Sequence, residues 1–161
     1  MPQVIETTDE FIERHGNDKI AIDRGATLLF SDGASMDGIA GRWMTEPPAD
    51  EYKRLHLIQL YWRTKLERDE TLFARKQAEL HEQGAMALKY SNVRPPGDGD
   101  IKYLEKLRDV ARNSAMELAN INMEIAKSEK GERQAEDERI IAERVQEVQT
   151  RLNKINSISL D

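Results

Sequence analysis

The sequence has no cysteine among its 161 residues. That excludes disulfides, thiolate zinc sites and thiol nucleophiles, and it fits the cytoplasm, or a particle assembled inside the cell, as the expected setting. No window holds 18 consecutive apolar residues, so no segment is expected to cross a membrane. The first residues, MPQVIETTDEF, lack the basic and apolar regions of a secretory signal. Aromatic residues make up only 6%, and the 39% hydrophobic content is nearly matched by 34% charged. A compact globular domain carries more apolar and less charged sequence. The composition therefore points to elongated helices with large solvated faces.

Histidine is also scarce, with only His15, His56 and His81. None stands in a Glu-x-x-His or His-Glu-x-x-His arrangement, which would put two ligands on one helical face. The pair Asp69/Glu70 and the run Glu136-Asp137-Glu138 lie in charged helical sequence and read as solvated faces rather than general acids. Trp62, flanked by Tyr61 and Arg63, reads as a core residue rather than a stacking platform. No catalytic constellation, metal centre or cofactor is expected. A surplus of basic charge is missing as well. The net charge is −6, and the first 49 residues hold nine acidic residues against four basic ones. Phosphate neutralisation supplies most non-specific affinity for nucleic acid, so neither nucleic acid nor an anionic membrane is an expected partner.

What the sequence does contain is ordered along its length. Thr7 and Glu10 fit a capping box at the start of a short helix over 7–16, with Gly16 placed to end it. IAI at 20–22 and TLLF at 27–30 have strand chemistry, with DRGA between them as the turn of a hairpin. The stretch SDGASMDG, 31–38, follows and raises the question of a ligand loop. It lacks the lysine of a phosphate-binding loop, and its glycines do not match a dinucleotide fingerprint. Read as a calcium loop from Asp32, it places Ala34, Met36 and Trp43 where ligands belong. Asp32, Ser35 and Asp37 remain a weak candidate for an irregular ion site. The expected role is an exposed, flexible, acidic connector built from Asp-Gly turns.

After Pro47-Pro48 the composition changes. A helix is expected over about 50–88, capped by Asp50, with a core stripe of Leu55, Ile58, Trp62, Leu66, Phe73 and Leu80. Residues 89–99, with Pro95, Pro96, Gly97 and Gly99, break the helix. A second helix is expected over about 100–156, capped by Asp100 and with room for a bend near Gly131. Its first seam, Leu104, Leu107, Ala111, Ser114, Leu118, Ile121 and Ile125, advances by alternating steps of three and four. KSEKGERQAEDE, 127–138, interrupts it. A second seam, Ile141, Val145, Val148, Leu152 and Ile155, then follows one residue out of phase with the first. A turn centred near residue 94 would oppose Asp50 to Arg139.

These features predict a mainly α fold. A small α/β head with a glycine-rich connector occupies 1–48, its helix followed by a β-hairpin. A long, antiparallel, coiled-coil-like helical hairpin occupies 49–161. The second seam has no partner in the first helix, and exposed apolar seams seek partners. The expected function is therefore non-enzymatic: a structural or adaptor protein that self-associates, or joins another protein, through Leu104, Leu107, Leu118, Ile121, Ile125, Ile141, Val145, Val148, Leu152 and Ile155. A regulatory or inhibitory module that docks its acidic head or helical surface on a protein is the alternative. Helical hairpins of this kind occur among phage structural components, secretion-system adaptors and cytosolic regulators, which is an analogy of shape only.

Overall fold

A computed structural model describes residues 3–15 and 27–156, the side chains of 130–132 and 134 apart. The chain divides into two compact units, Met1–Asn122 and Met123–Asp161. The described elements are α1 (Thr8–His15), β1 (Leu28–Leu29), β2 (Ser35–Met36), α2 (Glu51–Lys89) and α3 (Asp98–Asn156), the last contributing to both units. The protein is thus mainly helical, a long antiparallel hairpin with a small N-terminal helix and a β-hairpin.

In the head, Thr7 caps α1. Its Oγ1 accepts from the Glu10 backbone N–H at 3.2 Å and donates to Glu10 Oε1 at 3.1 Å. Phe11 is buried from this helix. The head contains an antiparallel β-hairpin, as expected. IAI, DRGA and Gly16 lie outside the described residues. Among the described residues TLLF pairs forward, Leu28 opposite Met36 and Leu29 opposite Ser35. Ser31-Asp32-Gly33 is therefore the loop of this hairpin and not a connector beyond it. Gly33 adopts φ 91° and donates its backbone N–H to Phe30 O at 3.0 Å, the left-handed step that a three-residue hairpin loop requires. Antiparallel bridges extend the pairing on both sides, Val4 to Phe30 and Met36 to Trp43. Leu28, Phe30, Ser35 and Met36 are all buried. SDGASMDG is consequently a loop followed by a buried strand, because its small and apolar residues at 34–36 complete the sheet.

Asp50 caps α2 through its side chain, which accepts from Tyr52 N–H at 3.2 Å. α3 starts at Asp98, two residues before the expected cap. Asp100 sits within the first turn, where its Oδ2 accepts from the Gly97 backbone N–H at 3.3 Å. The antiparallel course of α2 and α3 is fixed by contacts whose partners descend as α2 ascends. Gln59 Nε2 donates to Asn122 Oδ1 at 2.7 Å, Ser114 Oγ donates to Asp69 at 2.6 Å, and Lys76 lies 3.9 Å from Asp100. Asp69 thus meets Ser114, about six residues away from the register that a turn centred near residue 94 gives. The connection folds back along α2 rather than turning directly. Gln83 Nε2 donates to Arg94 O at 3.0 Å, and Gly84 faces Pro96.

Of the expected α2 stripe, Leu55, Trp62 and Leu80 are buried, and Ile58, Leu66 and Phe73 are half-buried. A second set on α2 is buried with them: Leu57, Tyr61, Lys65, Arg68 and Leu72. α2 therefore buries more of its circumference than a two-helix hairpin requires, because it packs on the head as well as on α3. Arg68 Nη2 donates to the Glu6 carbonyl at 3.1 Å, and its guanidinium lies 4.2 Å from the Phe11 ring centroid. In the second unit, α3 stays helical through Gly131. Among the described residues, no helix is long and apolar enough to cross a membrane.

Candidate functional site

The first seam of α3 supplies small side chains where the helices meet. Ser114 is fully buried, and its hydroxyl donates to Asp69 Oδ2 at 2.6 Å. Lys65, one turn before Asp69, donates to Asp69 Oδ2 at 2.8 Å and to Ser114 Oγ at 3.2 Å. Asp69 is therefore not on a solvated face. Its carboxylate is held in a closed three-residue network at the α2–α3 contact. A serine beside a lysine invites comparison with a nucleophile and its base. Here the lysine is ion-paired with Asp69, and the Ser114 hydroxyl is buried and donates to the same carboxylate, so the three side chains satisfy one another at the helix contact.

One helical turn on, Arg68 has a different environment. It is only 5% exposed, and no carboxylate lies within ion-pairing distance of it among the described residues. Its Nε has no hydrogen-bond partner. Burial lowers its pKa from the ordinary guanidinium value, while the charges of Glu6 and Asp69 act in the opposite direction. Arg68 lines a cleft of about 680 Å³ between the head, α2 and α3. Phe11, Leu28, Leu72 and Leu107 give it apolar walls, and Lys102 and Lys106 stand on its α3 side.

The remaining residues singled out in the sequence fall into three groups. The weak ion-site trio does not form a ligand set. Asp32 Oδ1 accepts from Ala34 N–H at 3.1 Å, and its other oxygen lies 3.6 Å from Lys53 Nζ. Asp37 Oδ1 accepts from Ile39 and Ala40 N–H at 3.0 and 2.7 Å. Partial burial works against the Asp37 charge, but these amides, with Gly41 and Arg42, hold its carboxyl below the usual range. Ser35 is buried in the strand. Among the described residues, no cluster of three His, Cys, Asp or Glu could hold a metal ion.

The first seam on α3 is covered within the single chain: Leu107, Ile121 and Ile125 are buried, and Leu104 and Leu118 are half-buried. These residues are thus taken up by the chain's own packing. The second seam is not. Ile141, Val145, Val148, Leu152 and Ile155 are between 48% and 63% exposed.

Sequence reasoning missed Tyr61, Lys65 and Arg68 as interior residues. The signal was there in the helical spacing 57, 61, 65, 68, 72, but three of those five positions hold polar or charged groups. Tyr61 packs edge-on against Trp62, ring centroids 4.9 Å apart. No family model, curated protein or solved structure matches the chain.

Proposed function

We propose that this chain is a non-enzymatic assembly protein, structural or adaptor in role, that joins copies of itself through the C-terminal part of α3. The observation that carries the reading is the row Ile141, Val145, Val148, Leu152 and Ile155, each about half exposed or more and spaced by steps of four and three. That spacing is the seam of a coiled coil, with Val145 and Leu152 at a and Ile141, Val148 and Ile155 at d. The flanks favour another copy of the same helix in parallel. The g positions hold Arg144 and Arg151, and the e positions hold Ala142, Gln149 and Asn156. Parallel pairing sets each arginine against a neutral amide side chain. Antiparallel pairing sets arginine against arginine.

The β-branched residues at every d position favour three or four strands over two. Area points the same way. Each chain offers roughly 500 Å² in this seam, so a dimer only approaches the ~1,000 Å² expected of a specific interface. The setting in this reading is the cytoplasm or a particle assembled inside the cell, such as a phage or bacterial assembly.

Sedimentation velocity over about 10–100 µM tests the proposal, since self-association depends on concentration. The expected result is a trimer or tetramer that becomes a monomer, with helicity retained elsewhere, when Ile141, Val148 and Leu152 are replaced by Asp. A monomeric parent at the highest concentration, or an unchanged mass in the variant, would overturn it.

A further inference from the structure

The tip of the helical hairpin carries an inference independent of assembly. Residues 90–97 fold back along the end of α2, where Gln83 Nε2 donates to Arg94 O at 3.0 Å and Gly84 faces Pro96. Tyr90 N–H donates to Met86 O at 2.9 Å, and Val93 N–H donates to Tyr90 O at 3.2 Å. The tip is thus held by its own backbone bonds, and Pro95 and Pro96 stiffen the return. Leu80 is the last buried residue of α2. Beyond it, Leu88 is 91% exposed, Tyr90 52% and Met86 40%. The hairpin therefore displays three large apolar side chains on an ordered tip.

The charge around them has one sign. From Gln83 to Gly97 the chain holds Lys89 and Arg94 and no acidic residue. Both cations are exposed, and neither makes an ion pair among the described residues. Glu82 and Asp98 bound the segment. Asp98 and Asp100 lie in the first turn of α3, where the positive end of the helix dipole draws carboxylates.

An apolar tip flanked by free cations fits an occupant that is both apolar and anionic. The three side chains offer roughly 400 Å², well under the ~800 Å² that each partner gives to a standard protein interface. A lipid bilayer needs no matching surface of that size. Its boundary takes up apolar side chains and tyrosine rings, while long basic side chains reach its phosphates. The net charge of −6 sets the chain as a whole against such a surface, but the acidic excess lies in residues 1–49. Glu6 and Phe11 of that head pack at Arg68, roughly 30 Å along α2 from Leu88. That is about three Debye lengths at 0.1 M salt.

We propose that the hairpin tip docks on an anionic lipid surface, with Met86, Leu88 and Tyr90 entering the headgroup boundary and Lys89 and Arg94 meeting the lipid phosphates. Each cation near such a surface strengthens partitioning roughly fivefold.

The test uses the full chain and sucrose-loaded vesicles of phosphatidylcholine, alone or with about one-third phosphatidylglycerol, at about 0.1 M salt. The expected partition constant on the anionic vesicles is on the order of 10³ M⁻¹, below that of a single myristoyl chain, so about 5 mM lipid should sediment most of the protein. Neutral vesicles should bind about 25-fold more weakly. Leu88→Asp should weaken binding to anionic vesicles at least about tenfold. Lys89→Gln with Arg94→Gln should bring it down to the level of neutral vesicles. All three positions are exposed, and circular dichroism checks that the variants stay helical. If Leu88→Asp does not fold, the double glutamine variant decides. No sedimentation with anionic vesicles, equal binding to both kinds, or anionic binding untouched by these variants would each overturn the proposal. The variants leave the C-terminal seam unaltered, so the outcome is separate from that of the assembly test.

Discussion

Ser114 on α3 donates its hydroxyl proton to the Asp69 carboxylate on α2 across 2.6 Å, and Lys65 Nζ bonds to both. The three side chains satisfy one another where solvent is excluded, so their effects on stability are not additive. Removing Asp69 alone leaves a buried ammonium without its counter-ion. Asp69→Ala should cost about 3–5 kcal/mol, and Ser114→Ala about 1–2 kcal/mol. Replacing the whole network, as Lys65→Met with Asp69→Leu and Ser114→Ala, should recover most of the loss, because apolar substitutes carry no desolvation penalty. Urea unfolding of the parent and the three variants decides this. An Asp69→Ala variant within about 0.5 kcal/mol of the parent would mean that the network contributes nothing to stability.

Gly41 and Tyr61 set a second constraint. Gly41 has φ 67°, and a Cβ built there would lie 2.9 Å from Tyr61 Cε1 and 3.2 Å from Trp62 Cζ2. Both the backbone conformation and the space demand glycine. Gly41→Ala should cost about 2–4 kcal/mol, combining strain at positive φ with overpacking against two aromatic rings.

The Tyr61 hydroxyl is buried and makes no hydrogen bond of good geometry, so Tyr61→Phe should be neutral or slightly stabilising at pH 7. Burial, and then the Asp37 charge, raise the phenol pKa well above its ordinary value. A raised folded pKa means the tyrosine's favourable state is fully present below the unfolded pKa, about 10, and is lost as pH rises further. The parent should therefore lose stability relative to Tyr61→Phe in alkaline urea titrations. Parallel pH profiles for the two proteins would contradict that.

Asp37 titrates in the opposite sense. Its carboxylate accepts from Ile39 and Ala40 N–H, and its folded pKa lies below the usual value. The stabilisation is present above the unfolded pKa of about 3.9 and fades as pH falls through the folded pKa. Asp37→Asn keeps an acceptor oxygen and should cost only a few tenths of a kcal/mol at pH 7, with this part of the acid dependence removed. Asp37→Ala loses both bonds and should cost about 1 kcal/mol. Equal stability of the two variants at pH 7 would show that the amide bonds carry no weight.

The two long helices were legible in the sequence because their apolar spacing and breakers are local signals. Asp50, Thr7 and the first seam behave as their chemistry dictates. The head was less legible. Strand chemistry in TLLF was visible, but its pairing with the strand at Ser35–Met36 was not, because ASM is too short and too mixed to read as a strand. The Asp-Gly pair after Phe30 supports a tight forward hairpin as well as it supports a connector. The polar interior of α2 was hidden for a different reason. Lys65 and Arg68 carry charges that propensity assigns to solvent, and only the tertiary positions of Ser114, Glu6 and Phe11 make their burial intelligible. The register of α2 against α3 also escaped, because the backward fold of residues 90–97 along α2 depends on contacts such as Gln83 with Arg94. For the candidate assembly face the spacing was the whole signal, and its residues are exposed in the single chain.

The proposed parallel orientation of that face can be checked chemically, because the chain contains no cysteine to interfere. Ile155→Cys places one thiol near the end of the seam. In a parallel, in-register coil the thiols of neighbouring copies lie side by side at a d position, within reach of a disulfide. In an antiparallel coil centred on Val148 they are separated by about 21 Å at 1.5 Å rise per residue. Mild oxidation of the folded oligomer should therefore give rapid covalent dimer with little change in helicity. The same treatment of Lys53→Cys, a surface position on α2 outside the seam, provides the collisional background. If Ile155→Cys cross-links no faster than that background while the oligomer persists, the helices run antiparallel or the seam lies elsewhere. The arginines at Arg144 and Arg151 would then have to be accommodated by a different alignment. Because like charges at g repel in the antiparallel form, adding salt should strengthen an antiparallel oligomer and leave a parallel one nearly unchanged.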